Sequence, residues 1–259
     1  MADDRTILAR TFDEVAELYD RARPGYPPEV FDDLEGLAGL RPGARVLESG
    51  PGTGQATRTL VERGFRVTAL EPGAELAGVL RRNLPQVDVV VSTFEAWEPD
   101  GEYDLVLAAT SWHWVDPDVR YVRAAAIARA LAVIGTQHVL PDDADPFFDE
   151  IQDVYEAIGE GHEGPPPRPD DDHSVRAEIE ASGAWAHVET RRHLRVREYT
   201  ADTYIDVLET YSGHRTMGEA DRAHLYAEIR RRVGDRRIRK HYLTTLDVAT
   251  RDVATRDDG

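Results

Sequence analysis

The stretch Glu48-Ser49-Gly50-Pro51-Gly52-Thr53-Gly54 constrains what this chain can fold into more than any other segment. Val46 and Leu47 before it have strand character, and Gln55 to Arg63 after it has helical composition. Glycine at every second position lets the backbone turn sharply and lets a ligand approach the main chain with no Cβ in the way. A strand, a glycine turn and a helix in that order make the first unit of a doubly wound α/β domain, whose ligands lie outside the carboxyl ends of the strands. The segment reads as a nucleotide-cofactor loop.

Its spacing narrows the ligand. A dinucleotide fingerprint is G-x-G-x-x-G, with the third glycine inside the helix whose N-terminus accepts the pyrophosphate. Counted from Gly50 and Gly52, that third position is Gln55. Glu48 would repel a pyrophosphate, whereas a ligand carrying an α-amino group would be attracted. The E-x-G-x-G-x-G pattern resembles motif I of the class I S-adenosylmethionine-dependent methyltransferases, whose cofactor is a sulfonium with an amino-acid tail and no phosphate.

Further segments in the same order extend the resemblance. Arg66 to Leu70 is a second apolar strand ending at Glu71-Pro72, so an acid arrives at the next strand tip about 20 residues on, where this architecture holds ribose hydroxyls. Val87 to Val91 gives a third strand, and Ser92-Thr93-Phe94-Glu95 after it resembles the family's segment that brackets the adenine ring. Tyr103 to Ala109 is a fourth strand, leading into Thr110-Ser111-Trp112-His113-Trp114-Val115-Asp116-Pro117. That string is similar to the signature of small-molecule methyltransferases grouped as methyltransferase domain type 11 or type 25. The leader from Phe12-Asp13 through Tyr19-Asp20-Arg21-Ala22-Arg23-Pro24-Gly25-Tyr26-Pro27 matches the same subfamily.

The resemblance implies an α/β fold: a doubly wound, Rossmann-like, mostly parallel seven-stranded sheet with an antiparallel last strand, an N-terminal helix and an inserted helical cap. A single domain over 1–259 is expected, with a helical leader at 1–40 over the cofactor cleft and a cofactor-binding core at 41–140. Loop and cap insertions fill 141–235, and a final strand and tail occupy 236–259. By hydrophobic period, residues 6 to 20 are helical, with Ile7, Leu8, Phe12, Val15, Leu18 and Tyr19 near one face, and Glu29 to Leu37 restarts a helix after the prolines. Leu131 to Thr136 reads as the fifth strand, but the L-x-P-G-G turn that precedes it in the family is missing. Either that connection is shortened or the helix runs on. Pro146 to Ile158 and Val175 to Ser182 read as helices around an irregular linker, Gly159 to Asp172. Ala186 to Tyr199 reads as a strand with Val188, Thr190, Arg192, Leu194 and Val196 on one side. Ala201 to Tyr211 and Glu219 to Val233 are helical, and Ile238 to Val248 is the closing strand.

The resemblance also implies the site. S-adenosylmethionine would meet Tyr19 and Arg23 of the leader, Glu48, Gly50, Pro51, Gly52, Thr53 and Gly54 of the loop, Glu71 and Pro72, Thr93 and Phe94, and Ala109 and Thr110. Methyl transfer from a sulfonium is an in-line displacement, so the main tasks are to hold donor and acceptor at attack distance and to exclude water. His113 is the candidate general base, with a structural role as the alternative, since its free pKa lies near neutrality. Trp112, Trp114, His138, Tyr204 and Tyr211 are candidates to line the acceptor pocket, with His214 beside them, although packing explains the tyrosines equally well.

Charge decides which partners are excluded. The 259 residues carry a formal net charge of -18, and such an acidic body repels phosphate backbones, so RNA and DNA are poor substrates. The chain has no cysteine, which removes disulfides, thiolate nucleophiles and cysteine-ligated zinc. No signal-peptide or membrane-spanning run is evident, so a cytoplasmic protein, monomer or homodimer, is expected. No metal role is assigned to the aspartate clusters. The reading is metal-independent methylation of a small molecule, in an enclosed apolar pocket suited to a neutral or weakly basic acceptor. A catalytically silent cofactor-binding regulatory protein and, behind it, an NAD(P)-dependent oxidoreductase are the alternatives.

Overall fold

A computed structural model of the chain describes residues 15–161 and 164–251. The start of the expected first helix, with Ile7, Leu8 and Phe12, lies outside the described residues; its continuation is α1, Ala16–Ala22. Helix α2 spans Pro28–Ala38, with proline at its first position, where no backbone donor is needed, and Gly39 in the left-handed conformation at its end (φ 63°).

Alternating strands and helices follow: β1 (Arg45–Ser49), α3 (Thr57–Glu62), β2 (Arg66–Leu70), α4 (Ala74–Asn83), β3 (Asp88–Val90), β4 (Tyr103–Ala109), α5 (Arg120–Ile127) and β5 (Ala128–His138). Helices α6 (Phe147–Glu150), α7 (Gln152–Ala157) and α8 (Arg176–Ala181) lead to β6 (His187–Tyr199). Between β6 and β7 (Ile238–Thr250) lie α9 (Ala201–Leu208), α10 (Ser212–Thr216) and α11 (Glu219–Val233). One seven-stranded sheet has the order β3-β2-β1-β4-β5-β7-β6. Strands β1 to β5 are parallel, and the last strands are antiparallel. The order reverses beside β1, and a doubly wound sheet binds its ligand outside the carboxyl ends at that point.

Two expectations need correction. The fifth strand starts at Ala128, not Leu131, because no breaker separates it from the helix: Ala128 is at once the extended cap of α5 (φ -135°, ψ 164°) and the first residue of β5. The side of β6 expected to be uniform is not, since Val188 is buried while Leu194 is 50% and Val196 39% exposed.

The chain forms two compact units. The larger comprises Gly25–Gly135, His173–His193 and the described part of Thr244–Gly259; the smaller comprises the described parts of Met1–Pro24 and Thr136–Asp172 together with Leu194–Leu243. In the larger unit successive strand residues enter opposite cores, Val46, Leu105 and Leu107 one, Leu47, Val106 and Ala108 the other. Strands covered on both faces read as unbroken apolar runs, which is why β1 and β4 were legible. The smaller unit has its own core, built on Phe147, Phe148, Ile151, Tyr204, Leu225, Ile229 and Tyr242.

Candidate active site

In the larger unit the strand tips come into line. Past the last paired residues, Gly50 N–H donates to Leu70 O (2.9 Å), Glu71 N–H to Val90 O (3.1 Å) and Thr110 N–H to Ile134 O (2.7 Å). The sequence-predicted Gly50, Glu71 and Thr110 therefore sit at adjacent strand ends.

The glycines are required there for separate reasons. Gly50, Gly52 and Gly54 all have positive φ (68°, 60° and 100°), a region costly for a residue with a Cβ. A Cβ on Gly50 would also stand 2.6 Å from Ser111 Cβ, and one on Gly54 2.6 Å from Leu80 Cδ1 on α4. Gly50 thus marks the close approach of the β1 and β4 tips, reinforced by Ser111 Oγ, which donates to Ser49 O (2.5 Å). Thr110, beside it, is the one non-glycine residue with positive φ (58°) among the described residues. Its hydroxyl is hydrogen-bonded to Tyr26 OH (2.9 Å).

Two carboxylates shape the loop. Glu71 accepts from Gly52 N–H through Oε2 and from Gly73 N–H through Oε1, each at 2.9 Å, tying the glycine loop to the start of α4. Glu48 is 1% exposed; among the described residues its oxygens make no hydrogen bond of good geometry, the Thr57 hydroxyl being the polar group that faces them. Burial, and to a smaller extent the negative charge of Glu71, push its pKa up to about 7 against the opposing effect of the Thr57 hydroxyl. Within the loop, Pro51 and Thr53 are buried, and Gln55 Nε2 donates to Thr53 Oγ1 (2.8 Å). Pro72 and Thr93 are exposed and Ala109 is half-buried.

Beyond β4 the Trp112–Trp114 segment is a single 3-10 turn. Trp112 is buried, edge-on to Phe94 and to Tyr121, both at 5.7 Å, so Trp112 and Trp114 do not form one wall. Trp112 belongs to the core and Trp114 is half-buried beside it. His113 reaches solvent with its ring 4.8 Å from that of Trp114. Partial desolvation, then the charge of Arg120, lowers its pKa and so favours the neutral imidazole.

Two arginines of α5 were not singled out by sequence reasoning. Arg120 Nη1 donates to Trp112 O (3.1 Å), while its other nitrogen pairs with Glu178, which also accepts from Tyr121 OH (2.9 Å). Arg123 Nε donates to Phe94 O (2.9 Å). One helix therefore pins both the loop after β3 and the turn after β4. The partners lie far apart in sequence, and no local pattern announces them.

The remaining candidates belong to the smaller unit. Arg23 lies over the rings of Tyr211 (4.2 Å) and Tyr19 (5.0 Å), its Nη2 donating to Thr210 O (3.0 Å). His138 is the last residue of β5, edge-on to Phe148 at 4.6 Å, and burial drives its pKa down to about 2. Tyr204 is buried, edge-on to Phe147 and Phe148 at 5.9 Å each. His214 Nε2 is hydrogen-bonded to Tyr155 OH (2.9 Å).

Comparison with known proteins agrees with this geometry. Residues 46–135 match a family model described as a methyltransferase domain. An uncharacterized methyltransferase of Mycobacterium tuberculosis is 37% identical over 161 residues, 61% of this chain and 63% of that protein. The chain thus spans under two thirds of the length of the curated mycobacterial relatives it matches. A solved chain from Anaeromyxobacter dehalogenans, described as a type II methyltransferase, superposes with a TM-score of 0.61 at 23% identity, over 88% of this chain and 97% of that one. Phosphoethanolamine N-methyltransferase 2 of Haemonchus contortus, solved with phosphomonomethylethanolamine and S-adenosylhomocysteine, gives a TM-score of 0.52 at 14% identity, over 92% of this chain and 57% of that one. At such identities the two structures speak to the fold alone. Residues 46–135 thus match the methyltransferase-domain family, on a fold that the solved chains share.

Proposed function

We propose that the chain transfers a methyl group from S-adenosylmethionine to a small organic acceptor without a metal. The observation that carries this reading is the carboxylate pair at the switch point: Glu48, buried with no ion pair among the described residues, and Glu71, fixed by two backbone amides of the glycine turns. Together they suit a cationic ligand with a diol and disfavour a pyrophosphate. The Haemonchus enzyme's complex with S-adenosylhomocysteine is a parallel on the same fold.

When bound, the cofactor supplies an electrophilic methyl on a positively charged sulfur. Glu48 would face its ammonium, Glu71 its ribose hydroxyls, and the loop after β3, with Thr93 and Phe94, its adenine. The positive-φ turn at Gly50 to Gly54 brings main chain rather than side chains to the ligand, with Ala109 and Thr110 at the neighbouring tip. As the acceptor atom bonds to the methyl carbon and the sulfur–carbon bond breaks, a hydroxyl or amine acceptor must shed one proton. His113, whose environment favours the neutral imidazole, would take it.

The test is radiolabelled methyl transfer, run side by side on a metabolite extract and on total RNA. Label in small molecules that falls by about 10²–10⁴ in His113→Ala, with cofactor affinity intact, is expected. Robust label in RNA that weakens steeply with salt would refute the small-molecule reading. Tight cofactor binding with no transfer to any acceptor would favour a silent binding protein.

A further inference from the structure

Lys240 is the sole lysine of the chain, and β7 carries it into the interior of the smaller unit, where it is 4% exposed. Its ammonium stands over the rings of Tyr204 (5.0 Å), Phe148 (5.3 Å) and Tyr242 (5.6 Å). Its one hydrogen-bond partner among the described residues is Tyr204 OH, at 3.5 Å. Among the described residues it makes no ion pair. A buried ammonium is ordinarily held by a carboxylate, because loss of hydration is severe without one. Here the neighbouring titratable side chains are basic or phenolic. Arg23, which caps α1, adds a second positive charge and makes no ion pair among the described residues, resting on Tyr19, Tyr211 and the Thr210 carbonyl. His138 on β5 presents a buried Nε2 with no partner. His214 is engaged with Tyr155 and Tyr199 with Tyr242, and His241 on β7, its pKa lowered by burial, is flanked by Asp143 and Arg239.

Around Lys240 the smaller unit therefore holds buried donors and positive charge walled by aromatic rings, with no carboxylate paired to the ammonium among the described residues. A group that only accepts hydrogen bonds and carries one negative charge completes such a set, and the rings suit an apolar body attached to it. We propose that Lys240 anchors an organic carboxylate, with an aromatic or aliphatic body lying against Tyr204, Phe148 and Tyr242. This replaces the neutral or weakly basic ligand that the acidic composition suggested. Overall charge governs long-range attraction, whereas the buried site selects the ligand's charge. The site is read within the smaller unit alone and stands whether or not the chain transfers methyl groups.

Burial, then the charge of Arg23, pulls the Lys240 amine down to about 7, so a carboxylate that binds the ammonium must raise that value. Below it the free amine is already protonated and affinity is flat with pH. Above it, binding must take up a proton and weakens tenfold per pH unit until the pKa of the complex is reached. With a single lysine, [15N]lysine labelling gives one Nζ resonance to titrate. Millimolar phenylacetate should raise its pKa by at least one unit, hexanoate should do likewise, and phenylacetamide should not. Lys240→Met, close in volume, should weaken phenylacetate binding at least tenfold and leave S-adenosylmethionine affinity unchanged. An Nζ pKa unmoved by phenylacetate, hexanoate and 4-hydroxybenzoate would overturn the proposal and make Lys240 a neutral filler of the core, as would undiminished binding in a folded Lys240→Met. Should that variant not fold, the titration of the unmodified protein decides alone.

Discussion

Replacing Gly50 by alanine tests whether the β1 and β4 tips meet as closely as described. Gly50 has φ 68°, which costs an L-residue about 1–2 kcal/mol. The new Cβ would lie 2.6 Å from Ser111 Cβ and 3.0 Å from Ser111 Oγ. The first of these atoms is attached directly to the main chain, so a rotamer change cannot remove the overlap, and overpacking of this kind adds about 1–3 kcal/mol. Gly50→Ala should therefore lose roughly 2–5 kcal/mol, or about 5–20 °C in Tm for a chain of this size. Ser111→Gly alone should cost about 1–2 kcal/mol, mainly the hydrogen bond to Ser49 O. In the double variant the overlap is gone while the φ strain remains, so the two losses should fall short of additive by about 1–3 kcal/mol. Gly36→Ala is the control: it lies inside α2 with nothing within 4 Å of a new Cβ, and should gain about 0.5–1 kcal/mol. Urea unfolding followed by circular dichroism measures all four. Strictly additive losses, or a Gly50→Ala loss below that of Ser111→Gly, would refute the contact.

Three further outcomes are expected. Glu71→Ala should weaken S-adenosylmethionine binding by about 1.5–3 kcal/mol in calorimetry, the range for a charge-assisted hydrogen bond; an unchanged affinity in a folded variant would place the ribose elsewhere. Glu48 is protonated in both states below pH 4.5, while between 4.5 and about 7 the unfolded chain ionises and the folded one does not. Stability attributable to Glu48 thus falls as pH rises through that window, and Glu48→Gln should lack up to about 3 kcal/mol of the fall in urea titrations at several pH values. Arg120→Met removes the positive charge and the donor to Trp112 O, so the His113 pKa should rise towards its ordinary value in an NMR titration; no movement would show that Arg120 does not act on the ring.

What could be read from sequence was what depends on neighbours in sequence. The Gly50-Gly52-Gly54 turn, Glu71 at the end of β2 and the apolar runs of β1 and β4 were legible because backbone conformation and two-sided burial write themselves into consecutive residues. The start of β5 was misjudged because a helix that passes into a strand at one residue, Ala128, leaves no glycine or proline to mark the boundary. Leu194 and Val196 alternate like a buried face, yet the outer side of β6, the last strand of the sheet, leaves them exposed. Trp112 was placed correctly in the chain but assigned to a pocket wall, because its packing on Phe94 and Tyr121 joins three segments that only the fold brings together.

The same limit explains the opposite treatment of acid and base in this chain. Acidic residues outnumber basic ones, 49 to 31, so the sequence invites an argument from repulsion of anions. That argument concerns the surface, where charges are solvated and a change of salt can cancel them. The interior reverses it locally. Among the described residues, the larger unit buries a carboxylate without an ion pair, Glu48, and the smaller unit an ammonium without one, Lys240. Each costs folding free energy where it stands, and each is offset by a ligand of the opposite sign. A cationic cofactor for one and an organic anion for the other would make both units more stable when loaded, so S-adenosylmethionine and a carboxylate should each raise Tm separately. The two groups then select opposite charges by the same device, a buried charge left unpaired.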